Sequence, residues 1–160
     1  MTSIVWFRRD LRLSDNPALL QGLGQLDGHG PGQDALALYI LDPRLWAPAS
    51  PTRRAYLLDS LQALKQDLDG RPRVRWGKPL EVLPRLAREL ESPTVHIAAD
   101  YGPYGRRRDA ETSQALANLG TELIATGSPY AVAPGRVRKA DGERYRVFTP
   151  FRSAWLDHGW

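Results

Sequence analysis

The fold class is decided by the stretch SIVWFRRDLRLSDNP, residues 3–17. Its first five residues form an apolar run without alternation of polar and apolar side chains, which is typical of a strand buried on both faces. Charged residues 8–10 end this run. Asp15-Asn16-Pro17 then predicts the start of a short helix near Ala18–Leu23, because Asn caps helices and Pro suits their first turn.

The rest of the chain repeats this alternation of strand and helix. Three helices are predicted: one after Ser50-Pro51 with leucines on one face, one after Pro79 and one over Asp109–Leu119. Strands that alternate with helices favour a parallel sheet with right-handed crossovers. We therefore expect an α/β fold with a Rossmann-like five-stranded parallel sheet, order 3-2-1-4-5, and helices on both faces. The further predicted strands are Asp34–Leu41, Arg73–Trp76, Val95–Ala99 and Glu122–Ala125.

The composition bounds the class of protein. The chain has 160 residues, a net charge of +4 and no cysteine, which fits one domain and excludes a disulfide scaffold, a thiolate metal site and a cysteine nucleophile. No apolar run approaches the roughly 18 residues that span a bilayer. The start at Met1-Thr2-Ser3 has none of the features of a signal peptide. We expect a cytoplasmic protein without a metal site or a membrane segment.

The pattern changes after Thr126. Residues 129–146 have little apolar periodicity and many turn and basic residues, and residues 148–160 then carry several large apolar side chains. These side chains either fold back onto the sheet or contact something that this chain does not contain, and we favour the second interpretation. We predict an α/β domain over residues 1–128 and the start of an interdomain linker over residues 129–160. Asp27–Gly32 is predicted to be a surface loop.

A ligand site is expected beyond the carboxyl ends of the strands, where the strand order reverses. In this topology the crevice lies between strands one and four. Residues 8–10, 41–43 and 100–106 follow strands one, two and four, and they combine carboxylates, arginines, tyrosines and glycines. Such a set suits a planar ligand with polar edges. The alternative is that residues 8–10 only pair with each other and cap helices.

Catalytic motifs are missing from the sequence. It contains no nucleophile elbow, no Ser-His-Asp order and no phosphate loop of the GxxxxGK type. His96 lies inside an apolar strand, which is typical of a core histidine with its hydrogen bonds satisfied. We therefore predict no catalytic residue in this chain.

Several motifs resemble the DNA photolyase and cryptochrome family. The stretch Ile4–Leu19 is similar to the N-terminal signature of that family, and Tyr39–Pro43 resembles its second strand and exit. Ser50–Leu58 resembles the start of its long second helix, and Asp100–Asp109 the segment after its fourth strand. Tyr145–Phe151 resembles the strip that leads to the next domain. The resemblance covers essentially the whole chain, with the motifs in the family's order.

The resemblance implies a division of labour between two domains. In the family, this α/β domain binds a light-harvesting antenna chromophore, while a larger helical C-terminal domain binds FAD and damaged DNA. Excited, reduced FAD passes an electron to a flipped-out pyrimidine dimer, which then splits. On this interpretation the parent protein is a lyase, the FAD domain is missing from this chain, and the chain alone is not catalytic.

The resemblance also implies a type of antenna chromophore. Folate-type members carry an Asn-Glu pair where this chain has Tyr104-Gly105, so a hydroxydeazaflavin or a flavin is favoured over a folate. Gly102 departs from the acidic residue that is usual before the proline of the deazaflavin type. Asp100 would accept a hydrogen bond from a ring N–H, and Arg53 would meet a negative or polar ring edge. The chromophore-binding residues implied are Arg9, Tyr39, Ile40, Leu41, Asp42, Arg53, Asp100, Gly102, Gly105 and Arg106.

Two alternative functions remain open at the level of sequence. A cryptochrome, which is a light sensor without repair activity, shares this domain. A stand-alone nucleotide- or flavin-binding module would have the same sheet, but it predicts a polar surface for residues 148–160. The large apolar side chains of that segment contradict this prediction.

Overall fold

The core of the structure is a five-stranded sheet. In this computed structural model, which describes residues 2–26 and 34–159, every neighbouring pair of strands is parallel. The strands are β1 (Ser3–Phe7), β2 (Ala35–Leu41), β3 (Arg73–Trp76), β4 (Thr94–Ile97) and β5 (Glu122–Ala125). Their order is β3-β2-β1-β4-β5, so the predicted fold class and strand order are confirmed. The loop predicted at Asp27–Gly32 lies outside the described residues.

Helices follow the strands along the chain. They are α1 (Pro17–Gly22), α2 (Pro43–Trp46), α3 (Pro51–Asp67), α4 (Pro79–Glu89), α5 (Pro103–Ala117) and α6 (Phe148–His158). The first five begin at a proline, whose fixed φ suits the first turn and whose missing N–H is not needed there. The side chains of Asn16, Asp42 and Ser50 accept a backbone N–H at the starts of α1, α2 and α3.

Three helices differ from the sequence prediction. α5 begins at Pro103 rather than Asp109, because its first turns carry glycine and charged residues that leave no apolar stripe. α2 was not predicted, since four residues are too few to show a helical period. α6 was also not predicted, and it buries none of its residues. A helix that buries none of its residues leaves little periodic signal in the sequence.

The two faces of the sheet are covered by different helices. Val5 and Phe7 of β1 belong to a cluster with Leu64 of α3, against which Leu19 of α1 also packs. The alternate residues of β1 belong to a larger cluster with buried residues of α4 and α5, because successive side chains of a strand point to opposite faces. Helices therefore cover both faces, as predicted.

The C-terminal segment exposes large apolar side chains. Val147 and Phe148 are 62% and 73% exposed, and Leu156 of α6 is 47% exposed. Tyr145 and Phe151 contact each other edge to face, with ring centroids 6.1 Å apart. Neither core cluster of the sheet includes a residue of 147–158.

Candidate chromophore site

A cavity of about 550 Å³ lies at the carboxyl ends of β1, β2 and β4, against the first turns of α3. The strand order reverses between β1 and β4, so this is the place where an open parallel sheet binds a ligand. The volume falls within the range of small-molecule sites. Seven of the ten predicted site residues line it together: Arg9, Tyr39, Ile40, Leu41, Asp42, Arg53 and Asp100.

The other three predicted residues lie on α5 or at its start and do not line the cavity. Gly105 is buried behind Asp100, and a Cβ at this position would lie 2.2 Å from the Asp100 carboxyl group. The Gly102 amide donates a hydrogen bond to Asp100 Oδ1 at 3.0 Å. Arg106 is exposed on α5. The two glycines therefore help to position the Asp100 carboxylate, and they do not contact the cavity themselves.

Two arginines form the buried part of the cavity wall: Arg8, from the loop that the sequence placed at the crevice, and Arg108, which the sequence did not single out as a site residue. Arg8 donates to Asp109 Oδ1 at 2.6 Å and to the carbonyl of Ala98. Arg108 lies 2.8 Å from the same Asp109 oxygen and 3.4 Å from Asp100 Oδ2. Burial lowers the pKa of Arg8 from its usual value, and the hydrogen bond and charge of Asp109 oppose that effect. These shared contacts fix the Asp100 carboxylate from a second side.

The same arginines lie against the indole ring of Trp6. The guanidinium carbons of Arg8 and Arg108 are 4.9 Å and 5.1 Å from its ring centroid. Arg108 also lies 5.6 Å from the ring centroid of Tyr104. The alternative that residues 8–10 only pair with each other does not hold for the Arg8 side chain, which pairs with Asp109, while the Asp10 carboxylate accepts the Arg8 backbone N–H at 3.1 Å. Asp10 therefore shapes the loop after β1.

A second carboxylate joins β2 to α5 across the crevice. Tyr104 donates its hydroxyl to Asp42 Oδ2 at 2.8 Å, and Arg44 donates to the same oxygen at 2.9 Å. Burial of Asp42 would raise its pKa, but the hydrogen bonds from Arg44 and Tyr104 hold that pKa below its usual value. Burial and the bond to Asp42 raise the pKa of Tyr104. Asp42 is therefore a fixed anion.

Aromatic side chains and an arginine form the outer wall. Trp46 of α2 lies edge to face with Trp76 of β3, with ring centroids 6.3 Å apart. Arg54 stacks over Trp46 at 5.2 Å and donates to the carbonyls of Trp46 and Ala47. Sequence reasoning missed Trp46, and it named Tyr104 only as part of residues 100–106 at the expected site. Both residues lie on proline-started helices that follow a strand, and that position was the available signal.

The described residues were also searched for a catalytic histidine, a metal site and a membrane-spanning helix. His96 is buried in β4 and its Nε2 lies 3.0 Å from Thr94 Oγ1, as expected of a core histidine. Within residues 2–26 and 34–159, no group of His, Cys, Asp or Glu side chains is arranged for a metal ion. No helix in the same part of the chain combines the length and apolar character needed to cross a membrane.

The fold and the cavity define a doubly wound α/β domain with a cavity of small-molecule size at its topological switch point. The sequence model of the DNA photolyase family matches residues 3–160, and the chain belongs to this family.

Named relatives agree with this assignment. A deoxyribodipyrimidine photo-lyase of Thermus thermophilus is 36% identical over 156 residues, which cover 96% of this chain and 33% of the relative. A photo-lyase of Synechococcus is 32% identical over 157 residues, 95% of this chain and 31% of the relative. The chain thus spans about a third of the length of these curated relatives.

Solved structures of the family share the fold. A cryptochrome of Synechocystis superposes with a TM-score of 0.84 at 25% identity, covering 98% of this chain and 33% of the cryptochrome. A photolyase of Sulfolobus tokodaii, described with two FAD molecules and a novel light-harvesting cofactor, has a TM-score of 0.79 at 26% identity, covering 96% of this chain and 34% of that one. The chain corresponds to the N-terminal domain of these proteins.

Proposed function

We propose that this chain is the antenna-chromophore-binding domain of a deoxyribodipyrimidine photolyase, and that a hydroxydeazaflavin or a flavin binds in the cavity. The observation that carries the proposal is the coincidence of the cavity with the predicted residues. Seven of them line one space of about 550 Å³ at the switch point of the sheet. When bound, the chromophore would supply absorption of light and transfer of the energy to FAD.

The residues present fit a tricyclic, polar-edged chromophore. Asp100 is held by the Gly102 amide and by Arg108, and Gly105 leaves the space that its carboxylate occupies. An acceptor fixed in this way suits a ring N–H donor. Leu41 and Tyr39 supply apolar surface for the ring.

Catalysis of dimer splitting belongs, in this proposal, to an FAD-binding helical domain outside the chain, with damaged DNA as substrate of the parent protein. Support comes from the share of the relatives that the chain covers, about a third. The exposed apolar side chains of residues 147–156 are in keeping with a domain contact there. The chain alone should therefore give no light-driven dimer repair with added FAD, and repair in that assay would contradict the proposal.

The test of chromophore binding is a fluorescence titration of the 160-residue chain with riboflavin, FMN and a folate. We expect saturable flavin binding, weaker folate binding, and at least about a tenfold loss of flavin affinity in Asp100→Ala, because a hydrogen bond to a charged acceptor is lost. Asp59→Ala is the matched control, since Asp59 is exposed on α3 and does not line the cavity. Unchanged flavin binding in Asp100→Ala would reject the site.

A cryptochrome-type photoreceptor is the second candidate. The observation in its favour is that the Synechocystis cryptochrome shares the fold, with a TM-score of 0.84 at 25% identity. Both functions use the same antenna domain, so the titration above tests what they share. Light-driven repair by the parent protein would separate them.

A further inference from the structure

The charged groups of the inner cavity wall belong to a balanced network of ion pairs. Arg8, Arg108, Asp42 and Asp100 line the cavity, and ion pairs of 2.6–3.4 Å join them to each other and to Arg44 and Asp109, which do not line it. All three carboxylates are committed to these arginines, and Asp42 also accepts from Tyr104. The inner wall thus has no excess positive charge to offer a ligand, and Asp100 remains available as an acceptor for a neutral N–H donor.

At the mouth of the cavity, in contrast to the inner wall, the arginines have no carboxylate partners among the described residues. Arg9 follows β1, Arg53 lies in the first turn of α3, and both line the cavity while remaining exposed. Among residues 2–26 and 34–159, neither guanidinium forms an ion pair, and the only carboxylates lining the cavity are Asp42 and Asp100 of the inner wall. Arg54 beside them binds two backbone carbonyls, so its charge is not neutralised either.

The two ends of the cavity therefore differ in charge. The inner wall is neutral overall and carries a hydrogen-bond acceptor, whereas the mouth is positively charged. A guanidinium presents a fork of N–H donors that matches the oxygens of a phosphate better than it matches a neutral group. Positive charge at the entrance of a low-dielectric cleft also raises the local concentration of anions. The ligand that complements both ends has a neutral donor on its ring and an anion at the opposite end.

We propose that Arg9 and Arg53 form a subsite for a phosphate monoester at the tail of the chromophore. This inference rests on the proposed function, since it assigns the tail of a ligand whose ring lies in the cavity. It predicts that the site prefers a phosphorylated flavin over the same flavin without phosphate. Arg53 then recognises the tail of the ligand, rather than the ring edge that the family resemblance implies.

Riboflavin and FMN test the subsite, because they differ only in the phosphate. We expect FMN to bind at least about tenfold more tightly at low ionic strength, as a charge-assisted hydrogen bond to phosphate predicts. The ratio of the riboflavin dissociation constant to the FMN dissociation constant should fall towards one as the salt concentration is raised, because both arginines are exposed and salt screens their charges. Both dissociation constants are measured by flavin fluorescence on the 160-residue chain.

Variants locate the preference. In the double variant Arg9→Gln/Arg53→Gln the ratio of the two dissociation constants should fall to about one, mainly through weaker FMN binding. Arg88→Gln is the matched control, because Arg88 is exposed on α4, lacks an ion pair among the described residues and does not line the cavity. It removes one positive charge and should leave the ratio unchanged. Circular dichroism of each variant verifies that it is folded.

Each outcome is decisive. Equal affinity of the wild-type chain for the two flavins would overturn the subsite while leaving the proposed function intact. A preference for FMN that survives in the double variant, or that disappears equally in Arg88→Gln, would overturn the assignment to Arg9 and Arg53. Binding of neither flavin would overturn the subsite and would remove the flavin from the proposed function, leaving the hydroxydeazaflavin.

Discussion

The two faces of the sheet differ in how their helices are attached. α4 has 11 residues and buries five of them, including Leu83 and Leu86 at 0% exposure. α3 has 17 residues and buries only Leu61 and Leu64, while Tyr56 and Leu58 on the same helix are 76% and 49% exposed. A helix that buries little leaves room beneath it. A second, apolar cavity of about 190 Å³ lies between α3, β2 and β3.

Because of this difference, the α4 face should contribute mainly to stability and the α3 face mainly to ligand binding. The α4 and α5 face holds the larger apolar cluster, with Ile4 and Trp6 of β1 packed under α4. The α3 face contributes Phe7, Tyr39 and Leu57 to the lining of the candidate chromophore site. Burial of a large aliphatic side chain contributes about 1.5–3 kcal/mol. We therefore expect substitutions on α4 to change the free energy of unfolding and substitutions on α3 to change ligand affinity.

The largest expected effect on stability is that of Leu86→Ala. This side chain is fully buried, so its truncation should lower the free energy of unfolding by about 2–5 kcal/mol, with a cavity left behind. The same truncation at Leu57 of α3, which is only partly buried and lines the site, should cost about 1 kcal/mol or less and weaken flavin binding. Urea unfolding measures both. Equal losses in the two variants would remove the distinction between the faces.

An intermediate effect is expected of Asp109→Asn. Asp109 pairs with both Arg8 and Arg108, whose side chains are 9% exposed, so its loss leaves two nearly buried cations without their shared anion. We expect a loss of about 2–3 kcal/mol, somewhat below that of a fully buried pair because Asp109 is itself 16% exposed.

The matched control for this prediction is Asp69→Asn. The pair of Asp69 with Arg71 has side chains 82% and 78% exposed, and the effect of breaking it should be about 0.5 kcal/mol or less. Asn also tolerates the positive φ of 50° at this position. If the two substitutions cost the same in urea unfolding, the network around Asp109 does not stabilise the site.

The smallest expected effect on stability is that of Asp42→Asn, and it depends on pH. Asp42 lies at the start of α2. The folded-state pKa of Asp42 is lowered, so its charged form stabilises the fold above the unfolded pKa near 4. That stabilisation is lost as the pH falls through the lowered folded-state pKa. The stability difference between the wild type and Asp42→Asn, about 1 kcal/mol at neutral pH, should therefore shrink below about pH 4. A difference that is constant from pH 7 to pH 3 in urea unfolding would contradict this.

The sequence predicted the sheet better than it predicted the site wall. Ser3–Phe7 and its partner strands were recognisable because burial on both faces demands continuous apolar runs. The residues that follow each strand were also found, since topology alone brings strand ends together. Arg108 and its partner Asp109 were missed as site residues. Both lie in the second turn of α5, and Arg108 reaches the cavity through a long side chain that local periodicity does not describe.

The difference between the two faces of the sheet also determines where substitutions could give such a domain a new ligand. α5 carries Arg108 and Asp109 of the site together with Leu116 of the core, so a change of specificity made there also perturbs folding. α3 contributes Arg53 and Leu57 to the cavity and little to the core. Substitutions on its inner surface can accumulate without crossing the threshold at which the protein unfolds. For a designer who wants to change the ligand preference of the candidate site, α3 is the helix to randomise and α5 is the helix to leave alone.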